Sequence, residues 1–159
     1  MPSGFESQIA SIDFSGKEIE EAYPPMSVTI RLQDEIDIGR GDTIVKKENL
    51  PLVSQDIEAE ICWMDSKPLV VGSKYLILHN TNLVKCVVKE IRRKLDFQTL
   101  EETNASSFSL NDIGRVVLRT AKPLVFDPYA MNRFNGAAVL IDEGTNGTVG
   151  AIMISGENI

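Results

Sequence analysis

Hydrophobic and polar residues alternate along much of this chain. The clearest example is residues 57–64, where Ile57, Ile61 and Trp63 share one side and acidic residues occupy much of the other. A period of two is typical of a β-strand with one face buried and the other in water. Residues 28–33 alternate in the same way. The pattern therefore predicts a protein built mainly of strands.

Denser apolar runs lie between the alternating segments, and turn residues such as glycine and asparagine separate them. Such runs suit strands that are covered on both sides or curled into a barrel. The best candidate helix, residues 17–22, is one turn long and is followed by Pro24 and Pro25, and proline interrupts a helix. Short strands at regular spacing predict an all-β barrel or sandwich. The dense runs are residues 75–78, 84–88, 116–118 and 137–141.

A polar stretch with a proline near its end, residues 46–53, predicts a linker between two domains. Residues 1–45 contain about three strand patterns, which are too few to close a barrel, whereas residues 54–159 contain about six. Charge also changes near this point, because residues 1–43 carry nine acidic and three basic residues. We expect the second domain to be a closed six-stranded antiparallel barrel. Its predicted core includes Ile57, Ile61, Trp63, Val87, Val117 and Val139.

Composition narrows the class of protein. The chain has 159 residues, of which 43% are hydrophobic and 25% charged, as in a globular protein. A net charge of -7 repels phosphate backbones, so nucleic acid is not an expected partner. No apolar run approaches the roughly 20 residues of a membrane helix, so no membrane association is expected. The first residues show no signal-peptide pattern, and the expected location is the cytoplasm.

Motifs for catalysis are weak. The segment from Gly72 to Lys74 lacks the first glycine and the final hydroxyl of a phosphate-binding loop. His79 follows a strand pattern and is expected to be a solvated loop residue. Cys62 and Cys86 lack the spacing of a metal site and are expected to be buried free thiols. The residues alone therefore predict no catalytic, cofactor-binding or metal-binding site in this chain.

The basic cluster Arg92, Arg93 and Lys94 is the strongest isolated charge patch. It could bind a partner protein, or it could be a solvated strand end. Both interpretations stay open on the sequence, and the three residues form the candidate partner interface.

Several segments resemble the large GTPase subunit of bacterial ATP sulfurylase (sulfate adenylyltransferase), a family similar to elongation factor Tu. Trp-Met-Asp at residues 63–65 and Lys-Pro-Leu-Val-Phe-Asp at residues 122–127 make the resemblance specific within that superfamily. The other matching segments are residues 26–32, 34–42, 89–96 and 111–114, and the closing Asn-Gly-Thr-Val-Gly-Ala.

The resemblance implies a GTPase domain followed by two elongation-factor-like β-barrels. Residues 1–45 would then be the end of the second-domain barrel, and residues 54–159 the complete third-domain barrel. The parent enzyme makes adenosine 5′-phosphosulfate from ATP and sulfate and hydrolyses GTP. A catalytic small subunit carries the adenylyl-transfer site, and the GTPase domain binds GTP and magnesium.

The resemblance further implies that this chain, which lacks the GTPase domain, is inactive alone and binds no cofactor. Its expected partners are the catalytic small subunit and the GTPase domain of the parent chain. The incomplete first barrel is also expected to favour self-association, since it leaves an apolar face and a strand edge open. The alternative is a barrel of another translation-factor-like GTPase, which would bind aminoacyl-tRNA.

Overall fold

The computed structural model describes residues 1–96 and 98–156. Over these residues the chain forms strands and turns, and no helix is long and apolar enough to span a membrane. Two compact units are present: Ser3–Asp42, and a second unit that begins at Thr43. The all-β class predicted from the alternating pattern is confirmed.

The first unit is a three-stranded antiparallel sheet. Its strands are β1 (Ile9–Phe14), β2 (Lys17–Ile19) and β3 (Thr29–Leu32), in the order β2-β1-β3. The turn between β1 and β2 consists of Ser15 and Gly16, whose φ angles of 50° and 78° suit a two-residue hairpin. These strands lie inside the range 1–45 that the sequence pattern assigns to the first domain.

One face of this sheet is apolar and the other is polar. Cross-strand pairing sets Ile12 opposite Ile19 on β2 and opposite Ile30 on β3, and Ile9 opposite Leu32. Within Ser3–Asp42, which the structure describes in full, no residue is buried. The first unit therefore has the apolar face of a sheet but no core of its own.

Within residues 43–96 and 98–156, the second unit contains six principal strands and three short ones. The β4, β10 and β7 strands have twelve, fourteen and fourteen residues, which is long for a globular protein. The bounds are β4 Leu52–Trp63, β5 Leu69–Val70, β6 Lys74–His79, β7 Asn82–Leu95, β8 Glu102–Thr103, β9 Ser107–Phe108, β10 Ile113–Phe126, β11 Ala137–Ile141 and β12 Thr148–Ile154. The first of these, β4, begins just before residue 54, inside the predicted linker.

The six principal strands close into an antiparallel ring. Their order is β10-β4-β12-β11-β6-β7, and β7 pairs back with β10. The predicted closed six-stranded barrel is thus confirmed. Short β8 extends the ring beside β7, while β5 and β9 form a separate two-stranded ribbon. The pairing of β10 with β4 shifts between Arg119 and Leu124, a region that contains Pro123, which has no N–H to donate to the ladder.

Trp63, the last residue of β4, is the largest fully buried side chain among the described residues. Its ring meets Tyr75 edge-on with centroids 5.5 Å apart, and its indole Nε1 donates to the Lys67 carbonyl at 2.8 Å. Directly opposite on β12 lies Gly150. A Cβ there would lie 3.1 Å from the Ile61 side chain and 3.4 Å from the indole of Trp63, so Ile61 would have to shift to admit a larger residue. Ile57, Ile61 and Trp63 are buried as predicted.

The other three core assignments were less accurate. Val87 and Val139 are only half-buried, and their neighbours Val88 and Leu140 are among the buried core residues instead. Val117 is buried, but it lies opposite Glu58 on the outer face of the barrel. In a run of consecutive apolar residues the alternation does not identify the inner face. The register shifts between β7 and β10 fall after Val88, and they change the parity of β7 so that Ile91 rather than Glu90 joins the core.

Replacing Trp63 by alanine should lower the free energy of unfolding by about 3–5 kcal/mol, because a fully buried indole and its hydrogen bond are lost. Urea unfolding followed by far-ultraviolet circular dichroism measures the change. Trp63→Phe is the control and should lose less, since it keeps a ring against Tyr75. A loss below about 1 kcal/mol for the alanine variant would contradict the assigned packing.

Self-association of the chain through the apolar face of the first unit stays a prediction. Sedimentation velocity over a concentration series should show a rising weight-average coefficient. The double variant Ile9→Ser with Ile30→Ser should abolish the rise, because it removes apolar surface from that face. Ser11→Ala with Thr29→Ala, outside the apolar set, is the matched control and should behave as the original chain. A concentration-independent coefficient for the original chain would refute the prediction.

Candidate interaction surfaces

The groups most often used in catalysis are dispersed. Among residues 1–96 and 98–156, no three His, Cys, Asp or Glu side chains are grouped closely enough to hold a metal ion. Both cysteines are free. Cys86 is buried, and desolvation raises the pKa of its thiol to about 12. Since the thiolate is the nucleophilic form, Cys86 is a poor nucleophile near neutral pH.

The prediction that His79 is a solvated loop residue is wrong. His79 ends β6 and is 1% exposed, and its Nε2 lies 2.9 Å from the backbone carbonyl oxygen of Asn135. A carbonyl can only accept, so Nε2 carries the proton that is donated. The sequence did contain a signal for this, because His79 continues the alternation of buried Tyr75 and Ile77.

The basic cluster on β7 lies among carboxylates. Arg92 contacts both oxygens of Glu58 at 2.9 Å, and Lys94 lies 2.8 Å from Asp112. Arg93 pairs with Glu102 on β8 and lies 3.7 Å from Glu60. All three cations of the candidate partner interface therefore have intramolecular partners.

Acidic and basic side chains continue across the neighbouring strands. On β10, Arg115 donates through Nε to Glu60 at 2.7 Å, and Arg119 donates to Asp56 at 2.8 Å. The register causes these pairs, since Arg115 lies directly opposite Glu60 and Arg119 opposite Asp56. Lys89 adds a contact to Asp56 at 3.3 Å.

We call this outer region the ionic surface. Its ion pairs connect β4, β10 and β7, the three strands at which the ring closes. The Glu58 side chain is 2% exposed, whereas its partner Arg92 is about one-third exposed. The more exposed pairs contribute little individually, but a buried carboxylate requires its cation. The surface consists of Asp56, Glu58, Glu60, Lys89, Arg92, Arg93, Arg115 and Arg119.

A second surface feature is the loop between β10 and β11, residues 127–136, which we call the tip loop. Met131 is 81% and Phe134 is 90% exposed. Arg133 lies between them in sequence, with its guanidinium 6.0 Å from the ring centroid of Tyr129. The sequence analysis did not identify this loop, although two large apolar residues in a segment with two asparagines and a proline were a visible signal.

The tip loop is tied down by polar side chains. Asp127 accepts from Asn132 at 2.9 Å and from Asn135 at 3.1 Å. Asn135 in turn accepts through its side chain from Asn80 at 2.9 Å and through its backbone from His79. We call these five residues, His79, Asn80, Asp127, Asn132 and Asn135, the polar clasp.

The backbone of the tip loop is also fixed. Tyr129 donates to the carbonyl of Ile154 at 2.8 Å, and Gly136 donates to that of Asn132 at 2.8 Å. A Cβ at Gly136 would lie 2.4 Å from the Tyr129 Cα, so the loop can close this tightly only with glycine there.

Comparison with known proteins identifies the second unit. The sequence model of the GTP-eEF1A C-terminal domain-like family matches residues 56–155. The chain belongs to this family. The structure agrees in fold with Sup35 complexed with GDP, at a TM-score of 0.86 and 18% identity, covering 100% of this chain and 40% of that one.

Curated relatives of this GTP-eEF1A C-terminal domain-like chain carry two enzyme names. Sulfate adenylyltransferase subunit 1 of Bacteroides fragilis is 42% identical over 97% of the chain, and that of Alteromonas mediterranea is 43% identical over 99%. The bifunctional enzyme CysN/CysC of Mycobacterium tuberculosis is 41% identical over 97%. The chain spans 32%, 33% and 25% of these relatives, respectively. The resemblance read from the sequence is confirmed.

Removing the cation from the buried pair should cost more than neutralising the anion. Arg92→Met leaves the Glu58 carboxylate buried, with Arg115 at 3.5 Å as its remaining cation. We expect a loss of about 3 kcal/mol in the free energy of unfolding. Glu58→Gln should lose less, because Arg92, about one-third exposed, can be rehydrated. Urea unfolding at neutral pH measures both, and an equal or reversed order would contradict the role of Glu58 burial.

Proposed function

We propose that this chain is the C-terminal β-barrel portion of a sulfate adenylyltransferase subunit 1, and that its own role is structural and partner-binding. The observation that carries the proposal is an identity above 40% with two proteins of that name over nearly the whole chain. In this proposal residues 1–45 belong to the second-domain barrel, and residues 54–159 form the third domain. The parent enzyme would act in the cytoplasm.

The parent enzyme would make adenosine 5′-phosphosulfate from ATP and sulfate, with GTP hydrolysis. We assign neither nucleotide step to this chain. GTP and magnesium would bind the GTPase domain, and adenylyl transfer would take place in the catalytic small subunit. The local geometry supports this division, since Gly72 lies in a turn between two strands, β5 and β6, with φ at +85°. A phosphate-binding loop instead leads from a strand into a helix.

The barrel would contribute rigidity to the parent enzyme. A closed ring with a packed core moves as one body, so it can hold two partners at a fixed separation. Its expected partners are the catalytic small subunit and the GTPase domain of the parent chain.

The alternative, a translation-factor barrel that binds aminoacyl-tRNA, is less well supported. A phosphate backbone needs available cations, whereas the basic cluster on β7 is already paired with Glu58, Glu60, Glu102 and Asp112. The net charge of -7 also opposes nucleic-acid binding.

Competition tests the proposal. An excess of this chain should displace complete subunit 1 from its catalytic small subunit, so that GTP-stimulated synthesis of adenosine 5′-phosphosulfate falls as chain is added. The control is Trp63→Ala at a temperature where circular dichroism shows it unfolded, and it should not inhibit. Titration calorimetry of the chain with GTP and magnesium should show no binding. No inhibition at saturating excess, or micromolar affinity for GTP, would refute the proposal.

A further inference from the structure

The tip loop exposes apolar side chains, yet hydrogen bonds fix its conformation. Met131 and Phe134 are the most exposed large hydrophobic side chains in the part of the chain that the structure describes. An exposed side chain at the end of a flexible segment needs no explanation. Here, however, the polar clasp and the backbone bonds to Ile154 and Asn132 fix the segment that carries both residues.

Burial of His79 indicates how firmly the loop is held. Its ring is 1% exposed and its Nε2–H donates to the Asn135 carbonyl. A buried side chain at the end of β6 therefore holds the backbone of the tip loop through a hydrogen bond. A loop held in one conformation loses little entropy when it binds, and this is a general source of affinity. Large exposed side chains on a rigid support are the type of residue that dominates binding energy in protein interfaces.

We propose that the tip loop is a docking element for the catalytic small subunit, with Phe134 and Met131 entering an apolar recess and Arg133 meeting a carboxylate at its rim. The proposal rests on the proposed function, which supplies the identity of the partner. It adds the surface of this chain through which the partner binds.

The chemistry of the loop favours a protein partner over other occupants. A phosphate backbone or an anionic lipid surface would face a chain of net charge -7 with a single arginine at the tip. A second copy docking tip to tip would set one Arg133 against the other, and like charges repel. A different protein can combine an apolar recess with an acidic rim, which fits two apolar side chains and the guanidinium between them in sequence.

The test compares matched variants of the full chain in binding to the isolated small subunit by titration calorimetry. Met131→Ser with Phe134→Ser should raise the Kd at least about 30-fold, as expected for the loss of two anchoring side chains. The control, Val71→Ser with Leu110→Ser, removes two apolar side chains that are 55% and 50% exposed elsewhere and should leave the Kd unchanged. Arg133→Glu should weaken binding, and Arg133→Lys should weaken it less. Thermal unfolding should be similar for all variants, because the altered residues are exposed.

The outcomes separate the docking proposal from the proposed function. Tight binding by the original chain with an unchanged Kd for the tip-loop variant would overturn the docking proposal and leave the proposed function intact. Failure of the original chain to bind the small subunit would overturn both. A tip-loop variant that keeps small-subunit affinity but loses self-association, or binding to RNA or to anionic vesicles, would assign the loop to that other occupant and overturn the proposal.

Discussion

Closure of the ring by β10 is the constraint on which the second unit depends. This strand is hydrogen-bonded to β4 along one edge and to β7 along the other, so the six principal strands have no open edge where the ring closes. The same closure aligns the acids of β4 with the cations of β10 and β7 on the outside. It also brings Val116 and Leu118 into the core. The apolar interior and the ionic surface are therefore two faces of one strand arrangement.

Local alternation was enough to predict the all-β class and the burial of Ile57, Ile61 and Trp63. The closed barrel was predicted from the number of strand patterns together with the family resemblance. Alternation failed at Val87 because adjacent apolar residues carry no directional signal, and Val87 lies between the buried Cys86 and Val88. The carboxylate partners of the basic cluster could not be predicted from the sequence either. Arg92 and Glu58 are separated by 34 positions, and only the order of the strands brings them together. Long-range pairing of this kind is a property of topology rather than of a sequence window.

The ionic surface and the tip loop differ in which of their side chains have partners within the chain. The ionic surface is matched internally, with each named cation near a carboxylate, and it contributes to the cohesion of the barrel. In the tip loop the polar groups are matched internally while the apolar groups are left in water. A protein surface commonly uses its polar contacts to set geometry and its large apolar groups to supply binding energy. The sequence feature most easily noticed, a run of three cations, is thus the one already engaged within the fold.

Trp63 is the only tryptophan in the chain, and it is fully buried in the second unit. Intrinsic tryptophan fluorescence is consequently a reporter of one unit alone. Loss of order in Ser3–Asp42, which contains Tyr23 but no tryptophan, would pass almost unseen in an emission scan excited at the red edge of the indole band. A sharp, single optical transition would therefore describe the cooperativity of the barrel and carry no information about the sheet that precedes it.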